Sequence, residues 1–435
     1  MSDSNISQHT INALINDLKD ARLRTLQLVA GLNQQQLIGP MLDTVNPLLW
    51  EIGHTAYFYE LWILRELHDD DSFLNNADQL FNSMTIAHND RWDLPLLTLD
   101  ETKTYMQKVL DGVIHYLQSS SVSEEDIYLA RYGVFHEDMH TEAFTYTRRT
   151  LNYPTPELTD CHFNITQSNP SPLTGDVEIA GGEYLLGAPE NIEFCFDNEK
   201  WQHPVSVKPF AIARTATSYQ QYADFVDNEG YSNKQFWDNE GWHWLQENNI
   251  TGPDGWKKDS NGNWLIKQFD QWHSLRPNAA VIHINWYEAN AWCRWAGRRL
   301  PSEAEWELAA SGTPDNINAK RSYPWGNTQP TINQANMDSH AMGTIDVSAL
   351  PEGDSAFGCR QMIGNTWEWV VDTFKPYPGF VADMYEDYSQ PLFGQTKVLR
   401  GGAWTTRSRM IRNTWRTYYG PDRNDVFAGF RSCAL

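Results

Sequence analysis

The chain is 435 residues long, with a formal charge of −23, 41% apolar residues and 20% charged residues, a length that fits two or three domains. No stretch approaches the roughly 18 uncharged apolar residues of a membrane helix, and the acidic balance without clustered Lys and Arg excludes phosphate-backbone binding, so neither a membrane nor nucleic acid is an expected partner. The opening MSDSNISQHTINALINDLKDARLR has no apolar core and no small-residue cleavage site, which makes the cytoplasm the expected compartment, and five scattered cysteines without a CxxC pair support neither a disulfide framework nor a cysteine zinc site.

Residues 8–32 place Ile11, Leu14, Ile15, Leu18, Ala21, Leu28 and Leu32 at three-, four- and seven-residue spacings, the stripe of an amphipathic helix. The same period returns near 47–67 (Leu49, Ile52, Ala56, Tyr57, Leu61, Leu64), 99–119 (Tyr105, Val109, Val113, Tyr116, Leu117) and 126–150, after acidic residues suited to a helix start. Four helices of this length predict an antiparallel bundle over residues 1–152. Between the second and third, residues 68–97 carry Asp69, Asp70, Asp71, Asn75, Asn76 and Pro95 and read as an irregular crossing loop.

Prolines in YPTPELTD and SNPSPLTGD break any helix from about 152, which places a linker at 153–174 and a second domain at 175–435. Short Gly-punctuated apolar and aromatic segments come next, with helices expected at Tyr219–Phe225, at Trp286–Ala296 and in SEAEWELAA, where Ser302 and Glu305 form a capping box. The region reads as a loop-rich α+β domain without internal repeats.

The sharpest chemical signal is FHEDMHTE. His136 and His140 stand four apart on a helix, so both rings leave one face at a spacing that suits two ligands of one metal ion. The string also satisfies HExxH, with Glu137 in the general-base position, which raises a zinc protease; the next residues, TEAFTYT, lack the metzincin extension. His54, in NPLLWEIGHTAYFYE, lies mid-stripe on another bundle helix and is a candidate third ligand, although a lone buried histidine is more often a core residue. Imidazole alone does not choose among zinc, iron, copper and nickel. Glu137, Asp138 and Glu142 are candidate acceptors to orient the rings, and Asp90, Arg91 and Trp92 in the crossing loop are candidates to fold over the same end of the bundle.

GHTAYFYE with HEDMHTEAF resembles the DinB-like helical domain of the ergothioneine-synthase family. The later phrases GGEYLLG, HPVSVKPFAIA, INWYEANAWCRWAGRRLPSEAEWELAA, YPWGN, GNTWEWVVDTF, LRGGAW and AGFR resemble the formylglycine-generating-enzyme (sulfatase-modifying factor) domain, which has a C-type-lectin-like fold. The resemblance covers nearly the whole chain. It implies a multidomain α and α+β protein: a DinB-like four-helix bundle followed by a C-type-lectin-like, formylglycine-generating-enzyme-type domain. It further implies three Fe(II) ligands, His54, His136 and His140, and an O2-dependent enzyme joining a thiol or a selenosugar donor to C2 of the imidazole of hercynine, Nα-trimethylated histidine.

Departures from the family patterns are informative. No cysteine follows Arg400, Gly401 and Gly402 in AWTTRSRMIRNTWRTYYGPDRN, where formylglycine-generating oxidases carry a reactive pair. The Asn-Trp-Asp phrase of one ergothioneine subgroup reads Thr417, Tyr418, Tyr419 here, and a Gln beside the last ligand is Met139, which is thereby a substrate-side candidate. NPLLWEIGHTAYFYE, HNDRWDLPL and GPDRNDVFAGFR are closer to the selenoneine-synthase branch. Family analogy places a tyrosine beside the iron as proton or electron donor, with Tyr377 in PYPGF as first candidate and Tyr418 and Tyr419 behind it. A trimethylammonium group suits aromatic faces, for which Trp415, Tyr418 and Tyr419 are candidates, and a substrate carboxylate suits Arg416 or Arg423. The alternatives are a sulfatase-maturing oxidase, a zinc protease using HEDMH, or a non-catalytic binding module with structural zinc.

Overall fold

The computed structural model describes residues 6–159, 161 and 173–435. The chain divides into two compact units, Met1–Thr159 and Asp160–Leu435. Residues 153–159 of the expected linker belong to the first unit; most of the remainder of that linker, 160 and 162–172, lies outside the described residues.

In the first unit, α1 (Gln8–Val29) starts at Ser7, whose side chain accepts from the Thr10 amide, and buries the stripe read from the sequence. A short α2 (Gln34–Ile38) leads to α3 (Leu48–Tyr59), in which all twelve residues are buried. Such a helix is wrapped on every side. It continues into a π-helical turn, Glu60–Arg65, so the predicted 47–67 helix is one rod with an expanded turn near its end. The crossing loop is more ordered than its composition suggests: it holds α4 (Ala77–Phe81) and a 3-10 turn at His88–Trp92. Capping boxes at Thr98/Glu101 and Ser123/Asp126 start α5 (Leu99–Leu117) and α6 (Glu124–Thr150). Helix α1 packs along α6, and α3 packs against both α5 and α6.

Two glycines permit this closeness. A Cβ at Gly53 of α3 would lie 2.2 Å from the Phe81 ring, and one at Gly133 of α6 would lie 2.3 Å from the Tyr59 ring. Glycine therefore lets an aromatic ring sit directly on each helix backbone.

The second unit contains β1 (Asp176–Ile179), β2 (Gly182–Leu186), β3 (His203–Val207), β4 (Phe210–Ala213), α7 (Tyr219–Asp227), α8 (Asn239–Glu247), β5 (Trp256–Lys258), β6 (Trp264–Gln268), β7 (Gln271–Ser274), α9 (Trp286–Trp295), β8 (Arg298–Arg299), α10 (Glu303–Ser311), β9 (Trp367–Thr373), β10 (Lys397–Arg400), β11 (Arg416–Tyr419), β12 (Ala428–Gly429) and β13 (Cys433–Ala434). Two four-stranded sheets, β1-β4-β13-β8 and β11-β10-β9-β12, stand with a β2-β3 ribbon and a β5-β6-β7 meander. The sequence reading missed α8, a nine-residue helix that buries only Gly241 and Leu245; a usable signal was Asp238, whose side chain caps the Gly241 amide.

Buried ion pairs tie α10 to the second sheet. Arg400 donates to Glu303 at 2.8 Å and to Glu307 at 2.6 Å, and Lys320 reaches Glu307 at 2.5 Å. Arg431 donates to Glu368 at 2.6 Å, which also accepts from the Trp306 indole at 2.7 Å. The GNTWEW, RGG and GFR phrases thus carry the framework of this unit. No helix of the described residues is long and apolar enough to cross a membrane.

Candidate metal centre

Helix α3 carries His54 and α6 carries His136 and His140, one turn apart on the face turned toward α3. Their donor nitrogens lie within 4.8 Å of one another, the one such cluster of His, Cys, Asp and Glu among the described residues. Three nitrogens about 2.1 Å from a common ion stand about 3.0–3.6 Å apart, so closing on an ion draws the rings together by at most about 1–2 Å. His54 and His136 are buried and His140 is half-buried.

The rings are held by different means. Trp50 stacks on His54 with centroids 4.9 Å apart, and Phe58 stacks on His136 at 4.0 Å. Nδ1–H of His54 donates to the Phe81 carbonyl at 2.8 Å, and Nδ1–H of His140 donates to Oε1 of Glu51 at 2.7 Å. Carbonyl and carboxylate oxygens can only accept, so in both rings the bare lone pair belongs to Nε2. Burial holds His54 and His136 well below the ordinary imidazole range, with the nearby His140 ring adding to the effect. Neutral imidazole is the form that binds a metal.

Of the orienting acceptors expected from sequence, Glu137 is engaged elsewhere: Oε1 accepts from Arg22 Nε at 2.9 Å and from the Thr25 hydroxyl at 2.9 Å. The sequence reading missed Glu51. Its signal was available, since a carboxylate one turn before a helical histidine projects from nearly the same face. Arg91 of the crossing loop does fold over this end, with its guanidinium 4.0 Å from the Trp50 ring centroid and a 2.6 Å bond to Asn46 Oδ1.

Residues 17–150 match the DinB superfamily model, and residues 162–434 match the sulfatase-modifying factor enzyme 1-like domain. The chain is 31% identical to the hercynine oxygenase of Mycolicibacterium smegmatis, over 96% of this chain and 97% of the relative. It is 32% identical to that of Mycobacterium tuberculosis, over 95% and 96%. The chain belongs to the hercynine oxygenase family. Its fold is accordingly a DinB-like helical region, then a sulfatase-modifying-factor domain. That second domain is also 30% identical to the formylglycine-generating enzyme of Streptomyces coelicolor, over 61% of this chain and 91% of the relative.

Of the second-unit residues singled out for a hercynine oxygenase, Tyr377 and Arg416 lie in contact, and Arg416 and Tyr418 share Phe374 as a neighbour. Tyr377 is 6% exposed in the core, its hydroxyl donating to Glu303 Oε1 at 3.2 Å and the Arg416 guanidinium lying 4.1 Å from its ring centroid. Arg416 is 1% exposed and bonded to Glu303 at 3.1 Å. Trp415 is 3% exposed, its ring edge-on to Trp367 at 5.0 Å. Tyr418 and Tyr419 are half-buried neighbours on β11, so their side chains leave opposite faces of the strand. Tyr418 stacks on Phe374 at 3.9 Å, and Tyr419 lies 5.1 Å from the Arg423 guanidinium. Two of the three residues expected to form an aromatic cage thus stand on opposite faces of β11. Arg423 makes a two-point pair with Asp425 at 2.6 and 2.7 Å. Met139 is half-buried beside His140.

Proposed function

We propose that this chain is an Fe(II)- and O2-dependent oxidoreductase that forms a C–S or C–Se bond at C2 of the hercynine imidazole. The observation that carries the reading is the three-imidazole cluster of two facing helices, in a chain alignable end to end with proteins named hercynine oxygenases. His54, His136 and His140 would hold the iron through one ring nitrogen each. Bound there, ferrous iron supplies a redox-active centre with coordination positions left open for dioxygen and substrates.

The chain's own residues prepare that centre. Trp50 and Phe58 press on two of the rings and keep water from their faces. Phe81 and Glu51 fix the tautomers of His54 and His140. Aromatic faces suit the permanently cationic trimethylammonium group, which can donate no hydrogen bond.

Reconstitution with Fe(II) under anaerobic conditions, followed by oxygen uptake with hercynine and a panel of cysteine, γ-glutamylcysteine and a selenosugar, tests the proposal. The expected result is hercynine-dependent oxygen uptake with one donor preferred, abolished together with iron binding in His54→Ala and His140→Ala. Stoichiometric zinc with no oxygen uptake under any donor would refute it.

A further inference from the structure

Glu51 sits one turn before His54 on α3 and is 1% exposed. A carboxylate at that depth is held at a desolvation cost of several kcal/mol unless a donor compensates it. The donor is the Nδ1–H of His140, 89 positions later in the chain and on another helix. Oε2 of Glu51 is buried without a hydrogen-bond partner, so the single bond to His140 carries the compensation.

His140 differs from the other two rings in what restrains it. His54 is stacked nearly parallel on Trp50, interplanar angle 8°, and His136 on Phe58, 16°, whereas the nearest aromatic neighbour beyond the cluster, Phe144, is tilted 36° at 6.3 Å from His140. The His140 side chain is also 19% exposed, against 2% for Glu51. Packing thus orients two of the rings and leaves the third to a hydrogen bond.

We infer that Glu51 is a positioning residue for the metal centre: it locks His140 in the Nδ1–H tautomer, aims Nε2 at the ion, and raises the basicity of that nitrogen. The inference rests on the reading of the three imidazoles as a metal centre. Carboxylate partners of this kind commonly change metal affinity by about 10- to 100-fold when removed. Helix α3 then contributes twice, supplying one ligand directly and controlling another from across the bundle.

The full-length protein, stripped of metal, is titrated with Co(II) alone, with affinity and visible d–d absorption as readouts. Glu51→Gln preserves volume and removes the charge; Glu51→Ala removes the acceptor; Glu51→Asp keeps the charge on a shorter arm. Expected are affinities weakened about 10- to 100-fold in Glu51→Gln and Glu51→Ala, an altered d–d spectrum, and partial recovery in Glu51→Asp. Glu51→Gln, which keeps the packing, decides the matter if Glu51→Ala does not fold. Wild-type affinity and spectrum in Glu51→Gln, with Co(II) binding lost in His54→Ala, would overturn the role of Glu51 alone. Wild-type binding in His54→Ala as well would overturn the metal centre with it.

Discussion

Arg22 on α1 grips Glu137 on α6 through a 2.9 Å ion pair whose side chains are 5% and 1% exposed. The Glu137 carboxylate is therefore spent on holding two helices together, although it stands in the general-base position of an HExxH string. Helical geometry explains the separation: consecutive residues point about 100° apart, so the residue after His136 cannot share its face. Removing one partner of a buried pair strands the other, at about 3–5 kcal/mol. Glu137→Gln is expected to lower the denaturant-unfolding free energy by that order, and no variant at 137 should alter peptide hydrolysis, which is expected to be absent. Protease activity that vanishes in Glu137→Gln while folding is kept would reverse this reading.

Gly53 precedes a ligand and lies under the Phe81 ring. A methyl group there forces out an aromatic ring whose own carbonyl accepts from His54. Gly53→Ala is expected to cost about 1–3 kcal/mol of stability, the range for overpacking, and to weaken metal binding beyond what the stability loss explains. Calorimetry with metal titration of the same sample measures both. Full stability together with unchanged affinity would show that Phe81 relocates without consequence.

Tyr377→Phe removes one hydroxyl from the Glu303 network. A typical buried hydrogen bond contributes about 0.5–1.5 kcal/mol, and that loss in thermal or chemical unfolding is the expected effect, with turnover per folded molecule within about threefold of wild type. Collapse of turnover at unchanged stability would move Tyr377 from the framework into the chemistry.

Glu288 on α9 titrates far from its ordinary value: burial pushes it up to about 7, against bonds from the Tyr231 hydroxyl and the Asn285 amide that favour the ionised form. In the unfolded chain the same group ionises near 4.3. Between those values the unfolded state releases its proton while the folded state keeps it, so stability declines from about pH 4.3 to 7 and is level above. Glu288→Gln cannot ionise and should lack that decline, which amounts to up to about 4 kcal/mol. Unfolding midpoints of both proteins at pH 5 and pH 8 measure it, and parallel pH profiles would contradict it.

Much of the helical unit was legible because its signals are local. Ser123 with Asp126, Thr98 with Glu101, and the Ile11–Leu28 stripe each state a helix within a few residues. His136 and His140 declare themselves in the same way, by spacing. Glu51 was missed because its partner is 89 positions away, its one local cue being its place a turn before His54. The second unit was read through phrases rather than periodicity, and there the framework residues were easier to place than the chemical ones. Arg416 illustrates this: a guanidinium beside a ligand site and a guanidinium buried against Glu303 look alike until the chain is folded.

The π-helical turn at Glu60–Arg65 sets the angular phase between the two ends of the second long rod. Upstream, Glu51, His54 and Phe58 share the side that meets α6; downstream, Leu64 nests on Gly112 of α5, and Glu60 at the junction accepts from the Phe73 amide and the Tyr105 hydroxyl. Adding or removing one residue in the regular α-helical stretch between His54 and this turn would rotate everything after it by about 100° while leaving the histidine intact. Such a frame shift would disengage α5 without touching a ligand, so the residue count between His54 and the turn is itself a constraint on which sequences can carry the three imidazoles.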